Sequence, residues 1–282
     1  MLPPSPINKA GIMGWPVGHS LSPRLHGFWL QFYGIAGSYE AFPVKPDDLA
    51  AALRALPAQN MRGVNLTVPH KEAACAIVDV LDPAARRIGA VNLVTVEQNG
   101  KLRGRNTDAY GFGQNLLSSG FAPKNGVAFV LGAGGASRAV LVALADMGFS
   151  EIRIANRTAE RAEKLAHEFS GPRCKITVVD WAKAPDALSD VELLVNTTSL
   201  GMKWQPALVF SLDKLPLTAT VTDIVYAPLE TDLLRLAKQR GHRVIDGLGM
   251  LLHQARPSFA AFYGRDPEVT DELRRFVLTE KT

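Results

Sequence analysis

Apolar runs of strand-like alternation and apolar runs of helical spacing take turns along the first part of the chain. KAGIMGW, GSYEAFPV and MRGVNLTV read as strands, and SPRLHGFWLQFYG, PDDLAAALRAL and PHKEAACAIVDVL as the helices between them. That rhythm predicts βαβ units and a mostly parallel sheet. It breaks at AVNLVTV and KLRGR, which flank Glu97-Gln98-Asn99-Gly100. An Asn-Gly pair between two strand runs predicts a hairpin.

A helical stretch, AYGFGQNLLSSG, then leads into GVAFVLGAGGASRAVLVALADMG, which reads as a buried strand, a glycine turn and a helix. EIRIANRT, AERAEKLAHEF, KITVVDW, ELLVNTTS, TVTDIVY and TDLLRLAKQR continue the alternation, and Gly241 serves as a C-cap. From Asp246 through GLGMLLHQARPSFAAFYG to DELRRFVLTEKT the pattern is helical, with no further strand. A chain of 282 residues exceeds one typical domain. The expected fold class is therefore α/β with two domains. The first is an N-terminal mixed α/β domain over residues 1–106 with the C-terminal helices, 246–282, returning to it; the second is a Rossmann-type domain over 107–245.

Composition narrows the class without naming a function. Hydrophobic residues make up 47% and charged residues 21%, the balance of a globular protein. The 31 Lys and Arg against 27 acids are scattered along the chain instead of gathered in a stripe, so nucleic acid is not an expected partner. Cys75 and Cys174 stand far apart with no CxxC or Cys/His spacing, so neither zinc nor a disulfide framework is expected, and the cytoplasm is the expected compartment. The opening MLPPSPINKAGIM lacks the apolar run of a signal peptide. The longest apolar stretch, Val127 to Phe149, is interrupted by Arg138 and glycines, so no membrane span is expected. The six histidines show no HExxH-like spacing, and no metal is expected.

The glycine run Gly132-Ala133-Gly134-Gly135-Ala136-Ser137 follows the strand VAFVL and opens a helix, the context a dinucleotide loop requires. Gly132 permits the tight turn, Gly134 lets a pyrophosphate approach the backbone, and the helix N-terminus attracts its charge. Ser137 stands where a third Gly or Ala is usual. At the end of the next strand an NAD site places an acid for the ribose 2′-hydroxyl. This chain has Asn156-Arg157-Thr158 with Arg161, and a guanidinium there pairs with a 2′-phosphate, so the site is expected to take NADP. The competing reading is a solvated helix start.

In Gly18-His19-Ser20-Leu21-Ser22-Pro23 the proline suits the first helical position, with Ser22 as N-cap and Ser20 upstream. Two hydroxyls at a helix start make either a carboxylate site or an ordinary cap. Asn65 and Thr67 share one face of a strand in GVNLTVPHK. Pro69 is expected to start the next helix, which puts Lys71 in a first turn, either as a cation that calls for an anion or as an exposed lysine of negligible cost. Asp108, after the hairpin and at a helix start, is either that anion or an N-cap; beside Lys71 it would hold the ammonium in place. Asn92 and Asn196 lie in strand-like runs where asparagine is unfavoured, so each is expected to make a specific hydrogen bond.

HSLSP, GVNLTVPHK, GAVN, GRNTDAYG, GAGGASRA, NRTAER, NTTSLGM, DIVYAPLETDLL and GLGMLLHQA, in this order over essentially the whole chain, resemble the shikimate dehydrogenase family. The resemblance implies that Ser20 and Ser22 bind the substrate carboxylate. It implies that Asn65, Thr67, Lys71, Asn92, Asp108 and Gln254 surround the ring hydroxyls, with Lys71 and Asp108 the catalytic pair. Tyr226 and Gly247 would lie near substrate and nicotinamide. Gly132, Gly134, Gly135, Ala136, Asn156, Arg157, Thr158 and Arg161 map onto dinucleotide contacts. The implied activity is NADP-dependent, reversible reduction of 3-dehydroshikimate to shikimate in chorismate and aromatic amino-acid biosynthesis, by a monomer or homodimer acting on a small molecule. Two alternatives stand beside it. A quinate/shikimate dehydrogenase is associated with Thr in place of Ser22 and an acid near the ribose. A catalytically idle NADP-binding regulatory protein would lack the Lys71 and Asp108 pair.

Overall fold

The computed structural model describes residues 8–279. Most of the opening segment read for a signal peptide, residues 1–7, and the last three residues of the expected terminal helical stretch, 280–282, lie outside the described residues. The chain forms two compact units, Met1–Thr107 with Leu252–Thr282, and Asp108–Leu251.

The first unit contains β1 (Asn8–Gly14), α1 (Ser22–Phe32), β2 (Gly37–Pro43), α2 (Leu49–Ala55), β3 (Met61–Leu66), β4 (Val80–Leu81), α3 (Pro83–Ile88), β5 (Leu93–Val96) and β6 (Leu102–Arg105). Its six strands run in the order β2-β1-β3-β5-β6-β4. β1 pairs in parallel with β2 and β3, but β5 is antiparallel to both β3 and β6, so the sheet is mixed. The hairpin expected at Asn99-Gly100 joins β5 to β6, and Gly100 takes the positive φ of 78° that the turn requires. At Gly63 a side chain is excluded altogether: φ is +155° and a Cβ would strike the Val94 carbonyl of the neighbouring strand.

Two expectations fail in this unit. PHKEAACAIVDVL is not an α-helix but turns around a 3-10 segment at Ala73–Ala76, followed by β4. Its backbone is claimed by tertiary pairing: the Asp79 N–H donates to the Leu102 carbonyl, the Asp82 N–H to Gly104, and the Val91 N–H to Lys71. These bonds override the helical propensity of the segment. Lys71 therefore has no helix dipole to oppose. At α1 the N-cap is Leu21, with Ser22 already helical, and no side chain caps the helix; the Ser22 N–H donates to Ser20 Oγ at 3.3 Å.

The second unit contains α4 (Asp108–Ser118), β7 (Val127–Leu131), α5 (Gly135–Asp146), β8 (Glu151–Ala155), α6 (Ala159–Phe169), β9 (Lys175–Val178), β10 (Val191–Asn196), β11 (Thr220–Asp223), α7 (Asp232–Gln239) and β12 (Arg243–Ile245). All six strands are parallel, in the order β12-β11-β10-β7-β8-β9. The chain winds outward from β7 in one direction and from β10 in the other, the doubly wound arrangement whose ligand crevice opens at the carboxyl ends where the order reverses. Both faces are buried. Ala128 and Val130 pack on one side, Phe129 and Leu131 on the other, which is why these strands read as continuous apolar runs. The short β12 is a strand the sequence pattern had not revealed. α8 (Leu248–Tyr263) begins in this unit, the chain re-enters the first unit at Leu252, and α9 (Asp271–Leu278) follows there.

Candidate active site

In the second unit the glycine loop leaves β7 and turns into α5. Gly132 has φ +105°, and a Cβ on it would lie 2.8 Å from Thr197 Oγ1 and 2.9 Å from Thr198 Cγ2, so only glycine lets the loop pass the end of β10. A Cβ on Gly134 would meet nothing within 4 Å, which leaves room over the loop for a ligand. Ser137, the departure from the usual pattern, is buried and used: its Oγ accepts from the Gly134 N–H at 3.0 Å and lies 2.7 Å from Thr197 Oγ1. Thr197 in turn donates to the Leu131 carbonyl at 2.7 Å. The loop is thus tied to both strands of the switch point.

Asn156 joins the loop to the next turn. Its Oδ1 accepts from the Ala133 N–H at 3.2 Å, and its Nδ2 donates to the Thr158 carbonyl at 2.9 Å. Thr158 is the N-cap of α6. Arg157 and Arg161 are exposed, and neither forms an ion pair among the described residues. Two guanidinium groups without carboxylate partners flank the N-terminus of α6, an arrangement suited to an anion. A cleft of about 500 Å³ adjoins Arg157, lined also by Asn156, Val179 and Trp181 and by the acids Glu163 and Asp180. The open space over Gly134, the tethered loop and the unpaired arginines fit a phosphorylated dinucleotide.

Beyond β11 the chain passes Tyr226, whose phenol is pushed up in pKa by burial. Gly247 sits against this segment so closely that a Cβ would collide with the Ile224 and Val225 carbonyls. The glycine is required by packing.

In the first unit a polar chain runs through the buried end of the sheet. Asn92 Nδ2 donates to Thr107 Oγ1 at 2.9 Å and to Gln254 Oε1 at 3.3 Å, while its Oδ1 accepts from the Thr107 N–H at 2.8 Å. Asn65 donates to the Asn92 carbonyl at 3.0 Å and to Ser258 Oγ at 2.8 Å, and accepts from the Tyr39 hydroxyl at 2.8 Å. The structure therefore brings Asn65, Asn92 and Gln254 together. Both amide hydrogens of Asn65 are spent inside the unit, leaving it no donor for a ligand. Thr67 follows the last residue of β3 and is half-buried, with its N–H bonded to the Met13 carbonyl. Lys71 is half-buried in the turn beyond it. Asp108, buried, is the first residue of the second unit and of α4. Thr107, Tyr39 and Ser258 escaped the sequence reading. Of these only Thr107 carried a local signal, standing directly before Asp108.

Among the described residues no group of three or more His, Cys, Asp and Glu could hold a metal ion, and no helix is long and apolar enough to cross a membrane. Cys75 and Cys174 are free thiols.

Two family models match the chain, one described as the shikimate dehydrogenase substrate binding domain, over residues 12–94, the other as shikimate / quinate 5-dehydrogenase, over residues 118–202. The shikimate dehydrogenase (NADP(+)) of Paramagnetospirillum magneticum is 56% identical over 272 residues, covering 96% of this chain and 98% of its own. The shikimate 5-dehydrogenase of Thermus thermophilus, solved in complex with NADP(H) and shikimate, is 40% identical with a TM-score of 0.85, covering 96% of this chain and 98% of that one. The quinate dehydrogenase of Corynebacterium glutamicum, in complex with NAD, superposes with a TM-score of 0.88 at 29% identity, covering 96% and 97% of the two chains.

Proposed function

The chain belongs to the shikimate dehydrogenase family, and from that premise we propose that it catalyses the NADP-dependent, reversible reduction of 3-dehydroshikimate to shikimate in aromatic amino-acid biosynthesis. The observation that carries the cofactor choice is the Arg157 and Arg161 pair, unneutralised at the start of α6 where an NAD site would carry an acid. The same pair, with Ser22 in place of Thr, argues for shikimate over quinate. The enzyme works in the cytoplasm, as a monomer or homodimer.

Residues 1–106 with 246–282 form the substrate domain in this reading, and 107–245 the cofactor domain. Ser20 and Ser22 hold the substrate carboxylate. Thr67, Lys71, Asn92, Asp108 and Gln254 receive the ring hydroxyls, and Tyr226 lies against the bound acid. Asn65 supports them from behind by fixing the Asn92 carbonyl. Gly132 and Gly134, whose N–H groups donate to the Ala155 carbonyl and Ser137 Oγ, give the pyrophosphate clearance, and Gly135 and Ala136 offer it N–H groups; Asn156, Arg157, Thr158 and Arg161 take the phosphorylated ribose, and Gly247 gives room beside the nicotinamide.

When bound, NADPH supplies the hydride for the C3 carbonyl carbon. The developing negative charge falls on the carbonyl oxygen, where the Lys71 ammonium stabilises it and delivers the proton. In the oxidative direction the proton returns to Lys71 from the C3 hydroxyl. Asp108 completes the catalytic pair as an acceptor for a ring hydroxyl. The polar chain through Asn92, Thr107 and Gln254 sets the acceptors and donors that orient the ring.

The deciding experiment mixes the purified protein with 3-dehydroshikimate or 3-dehydroquinate and either NADPH or NADH, and follows nicotinamide absorbance. Turnover is expected with 3-dehydroshikimate and NADPH. Comparable rates with 3-dehydroquinate, or a preference for NADH, would overturn the assignment.

A further inference from the structure

A buried carboxylate remains outside this mechanism. Asp223 is the last residue of β11 and pairs in register with Asn196, the last residue of β10; the two are 1% and 0% exposed. Asp223 Oδ1 accepts from the Val225 N–H at 2.9 Å, Oδ2 accepts from the Thr231 hydroxyl at 2.8 Å, and Asn196 Nδ2 stands 3.0 Å from each oxygen. Every donor is neutral, and no ion pair reaches Asp223 among the described residues. Burial pushes its pKa up to about 6 against the lowering effect of these bonds. A carboxylate without a cation is a costly way to fill a strand end, and apolar residues would pack there at less cost.

What the carboxylate does is join three segments. Through Val225 it fixes the backbone leading to Tyr226. Through Thr231, whose hydroxyl also receives the Leu234 N–H, it fixes the start of α7. Through Asn196 it fixes the loop after β10, because Asn196 Oδ1 accepts from the Thr198 N–H at 3.0 Å and the Thr198 hydroxyl at 2.7 Å, and its Nδ2 reaches the Leu200 carbonyl at 3.3 Å.

Sheet order says which part of a ligand those segments meet. The glycine loop at β7 takes the pyrophosphate and the Asn156–Arg161 turn at β8 takes the adenosine side. The other half of a dinucleotide must then extend the opposite way from β7, over the ends of β10 and β11. On that basis, and resting on the dinucleotide site of the proposed function, we propose that Asp223 is the positioning residue of the nicotinamide end, holding the 197–202 and 224–228 segments in the conformation that seats the ring.

The test replaces Asp223 by Asn, which keeps the shape but turns an amide donor toward the Asn196 amide or the Thr231 hydroxyl. Dissociation constants are measured for NADP+ and for adenosine 2′,5′-bisphosphate, which lacks the nicotinamide half, together with kcat and KM for shikimate. D223N should bind the bisphosphate within about twofold of the parent while losing roughly tenfold or more in NADP+ affinity, and kcat should fall by up to about 10²-fold, the effect of a small misplacement of reacting groups. Equal losses for both nucleotides, or no loss for either, would refute the positioning role. Should D223N not fold, Thr231→Val removes one donor and leaves the carboxylate, and the same nucleotide split at smaller size is required. If the parent protein fails to turn over shikimate while D223N still separates the two nucleotides, the substrate assignment falls and the positioning role stands.

Discussion

Lys71 carries the proton in the proposed reaction, and its assignment illustrates how a residue can be read for an incomplete reason. The motif placed it, but the expected helix dipole is absent because the backbone around it is recruited by β6 and by Val91. Lys71→Ala is expected to lower turnover by roughly 10²–10⁴-fold with a smaller change in KM, as befits a group acting mainly in the transition state. Steady-state kinetics at saturating substrate decide it, and near-normal turnover would remove Lys71 from the chemistry. Arg157 is read from a cation at a helix start, and it stands exposed there without an ion pair among the described residues, although Glu160 lies in the first turn. Arg157→Ala should weaken NADPH far more than NADH when both are titrated by nicotinamide fluorescence. Equal losses would show that the guanidinium does not read the 2′-phosphate. Ser137 and Asn65 mark the limit of such readings: one looked like a lapse in a motif and proves to tie β7 to β10, the other looked like a ligand group and spends its donors inside the fold.

Elements with long, uninterrupted patterns were read well. β7, the glycine turn and α5 combine a buried strand, obligatory glycine and a following helix, and each level agrees with the others. β4 and β12 span two and three residues, too short to show any period. The 70–81 segment has helical spacing, yet the Lys71 carbonyl and the Asp79 N–H find partners twenty and more residues away, at Val91 and at Leu102 on β6. Helix packing was equally invisible. Asn115 on α4 donates to the Asp246 carbonyl at 2.8 Å, and α8 presents Gly249 to the same side chain so closely that a Cβ would overlap its amide. Gly249→Ala is expected to destabilise the protein by about 1–3 kcal/mol through overpacking, despite alanine being the better helix former. Urea unfolding measures this, and an unchanged or higher midpoint would mean that Asn115 yields freely.

For the molecule as a whole, two buried groups oppose each other in acid. His26 is fully enclosed, stacked on Tyr39 with ring centroids 3.9 Å apart, and neither ring nitrogen has a hydrogen-bond partner among the described residues. Burial holds its pKa down at about 3 from 6.5. The unfolded chain binds this proton first, so the native state loses stability as pH falls below about 6.5 toward about 3. Asp223 acts with the opposite sign: its pKa is raised from 3.8 to about 6, the native state binds the proton first, and stability falls as pH rises through that window. His26→Phe, similar in shape and unable to titrate, should unfold at lower pH than the parent, with the difference growing below about pH 6.5. Circular dichroism along an acid titration reads it; coincident curves would show that His26 does not control acid unfolding.

By itself the sequence determined the strands and helices of long, regular pattern, the glycine loop and the cations after β8, because each follows from spacing, glycine freedom or charge within a few neighbouring residues. Only the tertiary structure decided the mixed sheet of the first unit, the non-helical path around Lys71, and the partners of Asn65, Ser137 and Asp223. Those depend on groups far apart in sequence meeting at strand ends, and hydrogen bonds and close contacts of that kind leave no period along the chain.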